Sequence, residues 1–154
     1  MRKLLPIAAV ATITILASQF AGASGTRIAQ EETIVLTDVT TSVNIVDAGA
    51  PHHFSVGDLA ALRGRLEDGT GAKVGSDRTD CVSNKGSVFV CTVQYAIEGR
   101  GNVTAQWVQD FNSINGIAGA VTGGTGEFEN VRGSIQIAFS SGSPESELTL
   151  HLLP

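Results

Sequence analysis

The sequence predicts an all-β domain of about eight short strands, and three observations carry that reading. No stretch beyond residue 23 repeats its apolar residues with the 3.6-residue period of a useful amphipathic helix. Strict period-2 alternation returns again and again, most clearly from Thr33 to Val46. Turn residues such as Asp47-Ala48-Gly49-Ala50-Pro51, Asp68-Gly69 and Glu98-Gly99-Arg100-Gly101 punctuate the alternation at short intervals. Many short strands joined by tight turns make either a sandwich or an up-and-down barrel. There is no internal repeat and no low-complexity segment.

The start of the chain reads as a secretory leader. Met1-Arg2-Lys3 is basic, Leu4 to Ala17 is almost wholly apolar, and Ala21-Gly22-Ala23 offers a small-x-small cleavage site before Ser24. The apolar run is shorter than the about 20 residues of a membrane span, and no Leu-x-x-Cys lipobox follows it. Removing residues 1–23 leaves 131 of the 154, a length for one domain, and takes away Arg2 and Lys3 but no acid, so the net charge moves from −5 to −7. That charge disfavours nucleic acid and anionic membrane surfaces as partners, and leaves no stable membrane span after cleavage. Export to the extracellular space or a periplasm also makes a disulfide the expected state of the only two cysteines, Cys81 and Cys91.

In chain order, Thr33–Val46 alternates with Val35, Thr37, Val39, Thr41, Val43 and Ile45 on one face and Ile34, Leu36 and Asp38 on the other. It is long for one strand, and a bend is expected near Thr40-Thr41, where a barrel strand takes a bulge or corner. His52-His53 invites a metal reading, but adjacent strand residues point to opposite faces and no ligand-spaced Cys, Asp or Glu is near, so no metal is expected. Gly57-Asp58-Leu59 opens the next strand, and Leu66 to Gly75 reads as strand, hairpin turn, strand. Asp80 to Cys91 forms a hairpin with Gly86 at its tip. Pairing 82 with 90, 83 with 89 and 84 with 88 sets Cys81 opposite Cys91; closing a loop of this size contributes roughly 2.5 to 3 kcal/mol on the chain-entropy model.

Ser87–Ile97 and Asn102–Phe111 follow as a strand pair, with Phe89, Cys91, Val93, Tyr95 and Ile97 on one face of the first and Val103, Ala105, Trp107 and Gln109 on one face of the second. Ile117–Val121 and Val131–Phe139 flank a glycine corner at Gly123, Gly124 and Gly126, with a tight turn expected near Thr125. Glu145–Leu152 is the last strand. The glycines do not form a phosphate-binding loop: Gly126 is followed by Glu127 instead of Gly-Lys-Ser/Thr, and a strand comes after them where a nucleotide site needs a helix.

The run Val121-Thr122-Gly123-Gly124-Thr125-Gly126-Glu127-Phe128, followed by Arg132-Gly133, resembles the signature of the allene oxide cyclase and dirigent superfamily of eight-stranded β-barrels. In that pattern Ala precedes Arg-Gly; here Val131 stands in its place. Gly57-Asp58, Leu66-x-Asp68-x-x-Gly71-x-x-Val74-Gly75 and Cys81 are similar to its bacterial members, and Gly101-x-Val103-Thr104-x-Gln106 is a weaker match. The resemblance covers residues 57–137 and decides for the antiparallel up-and-down barrel.

The resemblance implies a small hydrophobic molecule held in the barrel, and a cyclase or isomerase of the allene oxide cyclase type or a dirigent-like protein that directs stereochemistry. Such proteins act mainly by folding a flexible substrate into one reactive shape. No cofactor is implied, and the sequence has no Gly-x-Ser-x-Gly nucleophile motif. A secreted barrel that binds a ligand without reaction, or a purely structural one, is the alternative. Trimers are common among these barrels, so a homotrimer or homodimer is expected. Candidate ligand-facing groups are Asp38, Arg65, Glu67, Tyr95, Trp107 and Arg132. Tyr95 and Trp107 are the only Tyr and Trp, suited to shape a cavity, cover a cation or pack a core. Arg132 would bind an acidic ligand group or pin the glycine corner through carbonyls.

Overall fold

The computed structural model describes residues 30–49, 53–113 and 115–154; the expected leader, its cleavage site and His52 lie outside them. Eight strands follow in chain order: β1 (Glu32–Val46), β2 (Leu59–Glu67), β3 (Lys73–Lys85), β4 (Val88–Ile97), β5 (Gly101–Asp110), β6 (Ile117–Gly124), β7 (Arg132–Phe139) and β8 (Glu145–Leu153). Each pairs antiparallel with its neighbour in the chain, and β8 returns to β1, so the sheet closes into one up-and-down barrel. Closure gives every strand two partners over most of its length, which is why so short a chain can do without a second sheet.

Alternation sorts the wall into an inner and an outer surface. Leu66, Phe89, Cys91, Val93, Tyr95, Val103, Ala105, Ile135, Leu148, Leu150 and Leu152 are buried in one core inside the barrel. β1 bends where expected, through a register shift between Thr40 and Ser42. The shift also corrects the expected face of its second half. Asp38, Thr40, Val43 and Ile45 pair with Leu66, Gly64, Leu62 and Ala60, the inner side of β2, so Val43 and Ile45 leave the face of Val35 and Val39 and join that of Asp38. The β3–β4 hairpin pairs Cys81 with Cys91, Val82 with Val90 and Ser83 with Phe89 as expected, then slips so that Lys85 meets Val88, which leaves Gly86 and Ser87 as the turn. The two sulfurs are bonded.

The two ends of the barrel differ. At one end the glycine corner folds in as a single 3-10 turn, Gly126–Phe128, and drives the Phe128 ring into the core, where it is fully buried. Gly126 sits at φ +68, and a Cβ there would meet the Arg100 carbonyl oxygen at 2.5 Å, so the corner closes only with glycine. Arg100 clasps it: Nη1 and Nη2 donate to the two Glu32 carboxylate oxygens at 2.8 Å each, Nε donates to Glu127 at 2.7 Å, and the guanidinium lies 4.8 Å from the Phe128 ring centroid. The other end carries the β1–β2, β3–β4, β5–β6 and β7–β8 connections and is partly open. There Phe89 stands edge-on between Phe54 of the first connection and Phe111, at 5.3 and 4.5 Å between centroids. Asp58 ties the first connection down by accepting from the backbone N–H of Ala48 and Ser55 and the Ser55 hydroxyl, bonds that hold its carboxyl below the usual range.

Candidate functional site

The open end leads into a cavity of about 150 Å³ inside the barrel. Leu62, Phe111, Ile117, Ile137 and Phe139 form its upper wall, and Trp107, Gln109, Thr79 and Cys81 its middle. The floor is Asp38, Asp77 and Tyr95. Register explains how the two acids meet. Asp77 pairs with Gly64 on β2 and Tyr95 on β4, while Asp38 pairs with Leu66, one inner position along from Gly64. Asp38 from β1 and Asp77 from β3 therefore reach toward each other across β2 above a residue with no side chain. A Cβ built on Gly64 would collide with Oδ1 of both. Those two oxygens are buried, and no other group donates to either.

Two carboxylates buried side by side repel each other, which favours the protonated form of one of them. Asp38 is pushed up to about 7, by burial first, then by the charge of Asp77 and by its hydrogen bond to Asp77. Burial raises Asp77 as well, but its carboxylate also accepts from Asp38, the Thr79 hydroxyl and the backbone of Gly64, which favour its charged form. Both acids are thus raised, Asp38 with every cause acting upward and Asp77 with its hydrogen bonds opposing burial, which favours Asp38 as the protonated member. Burial, together with the negative charge of both acids, also holds the Tyr95 phenol in its neutral form. Trp107, 6% exposed, lies in the core and in the cavity wall at once, its Nε1 donating to Gln109 Oε1 at 3.2 Å.

Of the six residues singled out from the sequence, Asp38, Tyr95 and Trp107 are brought together here. Arg65 and Glu67 are on the outer surface of β2 and paired with each other. Arg132 is exposed on the outside of β7 at the closed end, away from the cavity, and the guanidinium that clasps the glycine corner is that of Arg100. Asp77 was missed. It shares an alternating face with Gly75, Thr79 and Cys81, so the paired cysteines and the Tyr95 face could have placed it inside once the hairpin register was fixed.

In its fold the barrel is similar to solved cyclases and dirigent proteins. Among solved structures it is similar to a pyocyanin demethylase, with a TM-score of 0.70 and 24% identity over 79% of this chain and 99% of that one. The Diels-Alderase AbmU from Streptomyces koyangensis gives 0.63 and 19% over 78% of this chain but only 62% of its own length, so the chain spans less than two-thirds of that enzyme. The pterocarpan synthase dirigent protein GePTS1 gives 0.60 and 16% over 93% and 98%. No family model and no curated protein sequence matches the chain. At such identities what is shared is the fold, a scaffold on which these neighbours carry different chemistries.

Proposed function

We propose that the chain is an exported barrel that admits a small, largely apolar molecule at its open end and directs a proton-assisted cyclisation or rearrangement of it. The observation that carries this reading is the Asp38–Asp77 pair: two carboxyl groups side by side in the lining of a largely apolar cavity, with no basic residue among the described lining side chains. Asp38 gives its proton to a substrate oxygen as Asp77 takes one from carbon or oxygen elsewhere on the substrate. The pair ends with one proton, as it began, and the product is an isomer of the substrate with no oxidant or reductant needed. Trp107, Phe111 and the aliphatic wall supply the shape that selects one folded conformer. Cyclase, Diels-Alderase and dirigent activities among the structural neighbours fit this division of labour.

Export rests on the basic, apolar and small-residue segments of residues 1–23, and mass spectrometry of secreted protein should find Ser24 at or near its start. Among the described residues no helix is long and apolar enough to cross a membrane. Association of copies is supported by an outer row of aliphatic side chains in register across five strands, Val46, Leu59, Val82, Val90 and Val108. Val108 is 64% exposed. A row of this kind fits a homo-oligomer, which sedimentation of Val108→Lys against the parent would test.

Proton transfer can be tested before any substrate is known. The neutral, planar 5-nitrobenzisoxazole opens when a base removes its C–H proton and the N–O bond breaks. The parent protein should accelerate this by about 10²-fold or more over acetate, with a rate that collapses in Asp77→Asn. A rate no better than acetate would leave a non-catalytic binding barrel as the better account.

A further inference from the structure

The cavity is unusual in the sign of what it lacks. Among the described residues its lining offers Asp38 from β1, Asp77 from β3 and Tyr95 from β4 as titratable groups, while β2, β5, β6, β7 and β8 contribute only uncharged side chains, and none of the described Lys, Arg and His residues lines it. The arginines nearest in sequence, Arg63, Arg65 and Arg78, sit on the outer surface of β2 and β3. Asp77 lines the cavity, is 7% exposed, and its Oδ1 is buried with no hydrogen-bond partner. At the closed end a charge of one sign is met by charges of the other, as Arg100 is by Glu32 and Glu127. At the cavity floor the countercharge is missing, and burying an uncompensated carboxylate is costly unless a partner arrives.

We infer that the ligand of this cavity is a small cation bearing a ring or a compact alkyl group, a protonated or quaternary amine, seated over Asp38 and Asp77 and against the Trp107 ring. The inference rests on the reading of the cavity as a ligand site and names the class of molecule it takes. A cation supplies the missing charge and finds in the Trp107 and Phe111 rings the aromatic faces that attract cations in desolvated sites. An anionic ligand meets only repulsion there, so the carboxylate or phosphate end of a substrate would have to stay outside the mouth.

Phenyltrimethylammonium and tert-butylbenzene have nearly the same shape and differ by one charge, and benzenesulfonate supplies the opposite sign. Binding is read by the fluorescence of Trp107, the only tryptophan in the chain. At pH 8 phenyltrimethylammonium should bind about tenfold tighter than tert-butylbenzene, with benzenesulfonate weakest. The preference should shrink at pH 5, where the pair keeps its proton and carries one charge instead of two, and proton release should accompany binding of the cation near pH 7. Replacing both acids, Asp38→Asn with Asp77→Asn, should cut the preference below about threefold while leaving tert-butylbenzene affinity little changed. Equal or tighter binding of tert-butylbenzene to the parent at pH 8 would overturn the cation inference and leave the apolar-ligand reading standing. Failure of all three probes to bind would overturn both.

Discussion

The closed and open ends of this barrel use carboxylates in opposite ways. At the closed end Glu32 and Glu127 bracket Arg100, every charge has its counterpart, and the Glu32 carboxyl is held below its usual range chiefly by its hydrogen bonds to Arg100. At the open end Asp38 and Asp77 are set against each other with nothing positive near, and both are raised by burial. The first arrangement stabilises the fold. The second destabilises it at neutral pH, and a fold keeps such a feature where it serves a site. That difference is why we propose the open end as the site, and it can be sharpened by measuring the two ends separately.

The largest effect should come from the closed end. Phe128→Ala removes a fully buried ring beneath the glycine corner and should cost about 3 to 5 kcal/mol in urea unfolding. Trp107→Ala at the open end should cost less, about 2 to 3 kcal/mol, because part of its ring already faces a void, yet it should weaken ligand binding where Phe128→Ala at equal folded fraction does not. Arg100→Met should lose about 1 to 3 kcal/mol at pH 7. Glu32 is depressed in the folded state, so its share of that stability is present above the ordinary glutamate value and disappears as pH falls through the lowered one. The Arg100→Met deficit should therefore narrow in acid.

The smallest effect has the opposite sign. Asp38 keeps its proton to about 7 in the folded chain while the unfolded chain loses it near the ordinary aspartate value. Between those limits the folded state binds more protons, so stability from this group falls as pH rises from about 4 to 7 and is flat beyond. Asp38→Asn should stabilise the protein by about 1 to 3 kcal/mol at pH 8 and by little at pH 4, measured by urea midpoints. An unchanged difference at the two pH values would mean that the acids do not share a proton.

Much of the fold was legible in the sequence because barrel strands write their own period. Strand positions, the β1 bend, the cysteine hairpin and the glycine corner follow from alternation and turn chemistry, and the resemblance chose barrel over sandwich. Two kinds of information were not local. Alternation groups residues by face without saying which face is inside, so Arg65, Glu67 and Arg132 stood equal with Asp38 until closure put them outside. The bulge at Thr40–Ser42 moved Val43 and Ile45 to the other surface, a one-residue event that reverses every later side chain on its strand. The partner of Asp38 depended on a third residue, Gly64, whose missing side chain gives two acids from non-adjacent strands a place to meet. Nothing in the spacing from 38 to 77 announces that.

The central claim is that Asp38 and Asp77 hold one proton between them at neutral pH. Carbon-detected NMR of the aspartate side-chain carboxyls, followed from pH 3 to 9, tests it most directly. The account predicts that one of the two resonances titrates near pH 7 and moves together with its neighbour, and that Asp77→Asn lowers the titration of Asp38 while burial still keeps it above the ordinary aspartate range. Complete titration of every aspartate by pH 5 in the parent protein would contradict it.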